Sequence, residues 1–290
     1  VPAHVRARVE AIDPTLDDDL EQWRRQSSAR PRVQVLGPIK VRVGSGGDPA
    51  RAAARMGYYT EMVAFLCTRP EGATTAEVAD AFGLSDARVR RDMSVVRSWL
   101  GIDPDSGQPF LPDAMKAPQA TQRGVGLYAL QDVLFDADLF RRLRLRGEAR
   151  GRHGLQDLCN ALELVTGPPF DAMRSRVGVW LSETHLDQHL QCAIVDVAHI
   201  VSTIALGADE PDLARYAAEL ASRVAPNEAT PQLDLAAVLA FAGQAGAAAT
   251  VARRVATWRD DSGEPPPDLS RRAEQILRTH KWLAEGAKAS

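Results

Sequence analysis

The chain has little cysteine, no excess of positive charge and no long apolar run, and each shortage removes a class of protein. Cys67, Cys159 and Cys192 are the only cysteines in 290 residues, odd in number and far apart. No disulfide framework can be built on them, which points to a reducing compartment and a cytoplasmic location. No apolar run approaches the roughly 20 residues needed to span a bilayer. The amino-terminal VPAHVRARVE is too polar for a secretory leader. A formal net charge of -3 and a pI near 6.1 mean that any nucleic-acid-binding surface has to be a local patch. The first residue is Val rather than Met, and a piece of a longer polypeptide is expected, such as the cytoplasmic part of a membrane-anchored protein.

Signatures of catalysis are missing as well. Gly44-Ser45-Gly46-Gly47 lacks the downstream Lys-Ser/Thr and the ordered glycine spacing of a phosphate loop. There is no nucleophile elbow. His185, His189, Cys192, Asp196 and His199 share one stripe of a long helix, and a His-x-x-x-His pair can ligate zinc from one helical face. The adjoining stripe, Leu186, Leu190, Ala193, Val197, Ile200 and Ile204, is the core face, so the polar set reads as its border. No paired Cys-x-x-Cys supplies further ligands. No enzyme, metal or cofactor is expected.

What the chain does hold is TTAEVADAFGLSDARVRRDMSVVRSWLG, residues 74–101. Thr74 and Glu77 have capping-box spacing, Gly83 suits the left-handed residue that closes a helix, and Ser85 with Asp86 opens another. On the second helix Val89, Met93, Val96 and Leu100 form an apolar stripe. At about 100° per residue, Ala87, Arg91, Ser94 and Ser98 point away from it, with Arg88 beside them and Arg90 and Arg97 on the other flank. Small residues and arginines on an outward face suit a helix entering a major groove, so the stretch reads as a helix-turn-helix. Asp92 departs from the plain form, occupying a position where an apolar contact is usual. The plainer alternative is a helical hairpin with a solvated arginine face.

Around this motif, RVQVLGPIKVRV at 32–43 reads as two half-buried strands meeting at Gly37-Pro38, and a long helix follows from Asp48-Pro49 to Thr68. GLYALQDV alternates like a strand, with Phe110-Leu111 as its hairpin partner and a loop holding Lys116 and Arg123. Residues 1–31 read as a linker with a short helix from Pro14 to Arg25. From Asp136 onward Gly and Pro breaks delimit helices near 137–149, 154–165, 178–206, 209–223, 230–243, 247–260 and 268–284. The expected architecture is an α+β winged helix over 32–135, then an all-α tetratricopeptide-like domain over 136–290, mostly α overall. Arg141, Arg142, Arg144, Arg146, Arg150 and Arg152 make the strongest basic run, read either as extra phosphate contacts or as one solvated face.

In this order VQVLGPIKV, the helix-turn-helix, GLYALQDVLFDADLFRRL, ALELVTGPPFD and APNEATPQLDLAAVLAFAGQAGAAATVARRVA resemble the antibiotic-regulatory activator family of actinobacteria, over roughly residues 32–260. Its most telling pieces are Leu36-Gly37-Pro38, Tyr128 with Asp136 and Phe140, Leu164 through Gly167, and Pro226 with Glu228. The resemblance implies a transcription regulator that binds double-stranded DNA through the helix beginning at Ser85. It also implies homo-oligomer or protein-partner contacts through the helical domain. Arg88, Arg91 and Ser94 are expected nearest the bases, and Arg90, Arg97, Lys116 and Arg123 at phosphates. The near-neutral charge of the first domain supports an alternative, an interaction scaffold whose winged helix no longer binds DNA.

Overall fold

The computed structural model describes residues 13–44, 46–171, 173, 179–256 and 271–280, together with His4. The chain folds as an α+β winged helix followed by an all-helical tetratricopeptide-like part and is mostly α. It divides into two compact units, one made of Ala7–Arg142 with Pro169–Gln188, the other of Val1–Arg6, Leu143–Pro168 and His189–Ser290. That division differs from the one expected at Asp136, and it returns a later segment, Pro169–Gln188, to the first unit.

In the first unit, strands β1 (Arg32–Gln34) and β2 (Lys40–Arg42) pair antiparallel across Gly37-Pro38, with Val33 opposite Val41. The third strand is not GLYALQDV. It is β3, Leu134–Phe135, lying parallel to β1, so that the sheet order is β2-β1-β3. Leu127, Tyr128 and Ala129 are buried in succession, which an alternating half-buried strand does not allow; Tyr128 keeps one isolated bridge, to Ala73. Of the expected hairpin with Phe110-Leu111 there remains a backbone bond from Gln131 N to Phe110 O, 2.9 Å. The loop between them contains a short helix, Pro118–Arg123, started by a proline whose missing N–H costs nothing at a first turn.

Residues 13–31 are not a loose linker. Helix α1, Leu16–Arg24, buries Leu16 and Leu20, and its Asp19 receives Arg30 at 2.5 Å and Arg142 at 2.8 Å. Arg142 also reaches Asp13 through two bonds of 2.7 Å. Burial pushes the Asp19 carboxyl up, but the hydrogen bonds from Arg30 and Arg142 outweigh it and hold it below its ordinary value. Partners more than a hundred positions downstream therefore fix a segment whose local composition looks unstructured.

The long helix expected from Pro49 is broken into α2 (Pro49–Ala52), a 3-10 turn at Ala53–Arg55 and α3 (Met56–Cys67). Of Met56, Tyr59, Val63, Phe65 and Leu66, the residues of this stretch expected to face a core, all are buried but Met56, which is partly exposed. Asp136 opens the helix Asp136–Arg150 and accepts from Val35 N and Leu36 N, 2.9 Å each, stitching the end of β1 to that helix. All three cysteines are free.

In the second unit successive helices Leu186–Gly207, Pro211–Val224, Ala229–Phe241 and Ala245–Ala256 are joined by short breaks, and Arg271–His280 follows. Their core is alanine-rich, with Ala236, Ala248, Ala252 and Ala273 set among Leu233, Val255, Ile276 and Leu277. Such small side chains let helix axes approach closely. The helix expected over 178–206 is instead two, Val179–Thr184 and Leu186–Gly207, with His185 at φ 50° between them. The shorter belongs to the first unit, where Trp180 packs edge-on to Phe65 and Phe170. By length and composition the longer is apolar enough to cross a membrane, against the expectation that no stretch comes near that length, and 39% of its most apolar window is buried. It buries Ile194, Val197, Ala198, Val201 and Ala205, a stripe turned slightly from the one expected. The expected helical stretches 257–260, 268–270 and 281–284 lie outside the described residues.

Candidate nucleic-acid interface

The first helix of the motif, α4, spans Thr75–Phe82. Its capping box is complete, with Glu77 N donating to Thr74 Oγ1 at 3.2 Å and Thr74 N to Glu77 Oε2 at 2.7 Å. That backbone bond from Thr74 is the main reason the Glu77 carboxyl lies below its ordinary value. Gly83 closes the helix at φ 62°, and Leu84 N returns to Ala79 O at 2.8 Å. The second helix, α5, spans Asp86–Leu100. Ser85 sits at its N-cap with no side-chain bond, so only the backbone part of the expected cap is made.

Val89, Met93, Val96 and Leu100 are all buried, as their spacing predicts, and Trp99 joins them. Asp92 is buried too, at 1% exposure, because it is fully partnered. It accepts from Tyr58 Oη at 2.8 Å, Tyr59 Oη at 3.3 Å and Arg88 Nε at 2.8 Å. The Tyr58 hydroxyl is pushed well above its ordinary value by burial first and by the Asp92 bond next. An acid at a core position of a helix demands donors, so Asp92 was a signal for such partners; which residues they are depends on packing with α3.

That network relocates Arg88. Its guanidinium lies along the helix on Asp92, one turn on, instead of pointing outward as the spacing predicts. Arg97 is engaged as well, with Nε on Leu111 O at 2.8 Å, Nη2 on Pro112 O at 3.0 Å and Nη1 on Asp113 Oδ1 at 3.0 Å. Both are cations absorbed by neighbours that adjacent sequence does not reveal. The outward face that remains is Ala87, Arg90, Arg91, Ser94 and Ser98, all exposed. Arg90 has a loose 3.9 Å pairing with Asp86. Among the described residues Arg91 carries no ion pair. Lys116 and Arg123 are exposed in the loop beyond Arg97, Arg123 lying 3.3 Å from Glu71.

The arginine run on the helix Asp136–Arg150 is largely taken up in ion pairs. Arg141 pairs with Asp138, Arg142 with Asp13 and Asp19, Arg144 with Glu148 and Asp196, and Arg146 and Arg150 both with Asp157. The Arg146–Asp157 pair is buried and two-pronged, at 2.7 and 3.1 Å. The polar stripe of the long helix is likewise dispersed, Asp196 to Arg144 and His199 Nδ1 to Asp234 at 2.8 Å. Among the described residues no three His, Cys, Asp or Glu side chains converge on a metal position.

No protein-family model matches the chain, and no curated protein matches it. Among solved structures it is similar to Mycobacterium tuberculosis EmbR in complex with a low-affinity phosphopeptide. The TM-score is 0.57 at 19% identity, over 89% of this chain and 69% of that one. At this identity the likeness is one of fold.

Proposed function

We propose that this chain is a DNA-binding transcription regulator, or the DNA-binding module of one, acting in the cytoplasm. Helix α5 enters the major groove of double-stranded DNA. The observation that carries this reading is its outward face, where Arg91 is exposed without an ion pair among the described residues and Ala87, Ser94 and Ser98 keep the surface low. A guanidinium with free donors matches guanine edges, and hydroxyls match phosphate or base acceptors. Arg91 and Ser94 stand nearest the bases, with Arg90, Lys116 and Arg123 at phosphates. Arg88 and Arg97 serve from within, one orienting the helix through Asp92 and the other holding the neighbouring loop. The helical unit supplies contacts to a second copy or to a protein partner.

Titration of genomic duplex fragments in moderate salt tests the reading. The protein retains a subset of fragments, and Arg90/Arg91→Ala lowers retention at least tenfold. Equal, negligible retention of both proteins ends it.

A second reading, an interaction scaffold derived from such a regulator, is favoured by the loss of Arg88 and Arg97 to internal contacts, since non-specific DNA affinity follows the number of available cations. Capture from lysate with and without nuclease separates the two, because a scaffold's partner survives nuclease treatment.

A further inference from the structure

A helix lying in the major groove has a phosphate backbone on each side of it, the groove being about 12 Å wide. In this unit one flank of α5 is bordered by the Leu111–Asp113 segment that Arg97 holds, with Lys116 and Arg123 following in the same loop. The other flank is bordered by Asp48–Tyr59. Asp48 N donates to Ser98 O and Trp99 O at the carboxyl end of α5, and the hydroxyls of Tyr58 and Tyr59 meet Asp92 at its middle. Between those two attachments the segment exposes Arg51 and Arg55.

Neither arginine is absorbed as Arg88 and Arg97 are. Arg51 has a 3.5 Å approach to Asp48, both side chains more than half exposed, a pairing that water and salt weaken readily. Arg55 Cζ sits over the Tyr58 ring, 4.2 Å from its centre, and the hydroxyl of that tyrosine is bonded to Asp92. Stacking orients a guanidinium and leaves its edge donors available. At about 100° per residue the side of α5 carrying Arg88, Asp92 and Val95 faces this segment, and the line Arg91–Ser94–Ser98 lies next to it.

We infer that Arg51 and Arg55 form a second phosphate-contacting site, gripping the DNA backbone on the flank of α5 opposite Lys116 and Arg123. The inference rests on the DNA-binding reading of α5 and adds to it the strand that the 3-10 turn meets. Arg55, held on Tyr58 and through it on Asp92, also couples this backbone contact to the orientation of the helix.

The test needs no operator, because phosphate contacts are independent of sequence. Fluorescence anisotropy of a labelled 30-base-pair duplex of mixed sequence is followed in the whole chain from about 50 to 250 mM salt, where each phosphate contact contributes about 0.9 to the slope of log affinity against log salt. Arg51→Gln/Arg55→Gln lowers that slope by about 1.8 and weakens binding at least tenfold at the lower salt. The charge-retaining pair Arg51→Lys/Arg55→Lys restores most of the slope, which a merely structural role would not do. Arg25→Gln, at the residue that ends α1 and pairs with Glu21, leaves it unchanged. A slope unaltered by the glutamine pair, with Arg91→Ala still weakening binding, overturns this inference alone. An equal fall with Arg25→Gln also overturns it. No binding by the unsubstituted chain at the lowest salt overturns both this inference and the reading of α5.

Discussion

Asp92 shows how one residue can hold a helix, here α5, in place. Its carboxylate is buried among two tyrosine hydroxyls and one guanidinium, and removing it leaves three donors facing a vacancy. Stranding buried polar groups costs more than the bonds themselves are worth net. Asp92→Ala is therefore expected to lower the stability of the first unit by about 2–4 kcal/mol in urea unfolding. Arg88→Ala should cost less than Asp92→Ala, because Asp92 keeps both tyrosines, but more than loss of an exposed ion pair, because a buried carboxylate is left without that cation. A reversed order would show that the ion pair, rather than the tyrosine pair, anchors the helix. The sequence marks Asp92 as out of place, yet it cannot name Tyr58 and Tyr59, some 33 positions upstream, since their meeting depends on how α3 crosses α5.

At the scale of elements, local chemistry is legible and pairing is not. The capping box at Thr74 and Glu77, the glycine bend and the buried stripe of α5 all follow from residues within a turn or two of each other. Gly83 has φ 62° and open space where a Cβ would go, so the cost of a side chain there is one of backbone conformation alone. Gly83→Ala should destabilise by about 1 kcal/mol, much as Thr74→Ala should through loss of its cap. Thermal unfolding of both variants checks this, and a much larger loss for Gly83→Ala would reveal a contact that the turn does not show. Gly101 differs: at φ 83° a Cβ would stand 2.0 Å from Gly46 O, so backbone meets backbone there. The third strand was misplaced because Leu134 is recruited by a strand about a hundred residues earlier, and period-two patterning in GLYALQDV carries no information about that partner.

At the scale of the whole molecule, the first unit is closed by long-range charged contacts. In the arginine run Arg142 finds Asp13 and Asp19, which are remote in sequence, whereas Arg141, Arg144, Arg146 and Arg150 meet Asp138, Glu148 and Asp157 close by. Asp136 closes the same unit with no cation partner among the described residues. Burial pushes its carboxyl up to about 7, against the lowering effect of the backbone N–H groups of Leu36 and Val35. The folded state thus binds this proton more tightly than the unfolded chain. Its contribution to stability is full below the unfolded value near 3.8 and is lost as pH rises through about 7. The urea midpoint of the unsubstituted chain should fall between pH 5 and 8 relative to that of Asp136→Asn, in which this titration is gone. Parallel pH profiles for the two proteins would show that the hydrogen bonds hold Asp136 ionised throughout.

The three donors that Arg97 spends on Leu111, Pro112 and Asp113 make helix and loop a single casting. Such a casting has little compliance. On the proposed reading of α5, a duplex groove of another width would have to be met by helix and loop together, and misfit at the loop would tilt the helix. A substitution at Asp113 would then be felt at α5, to which Arg97 ties it.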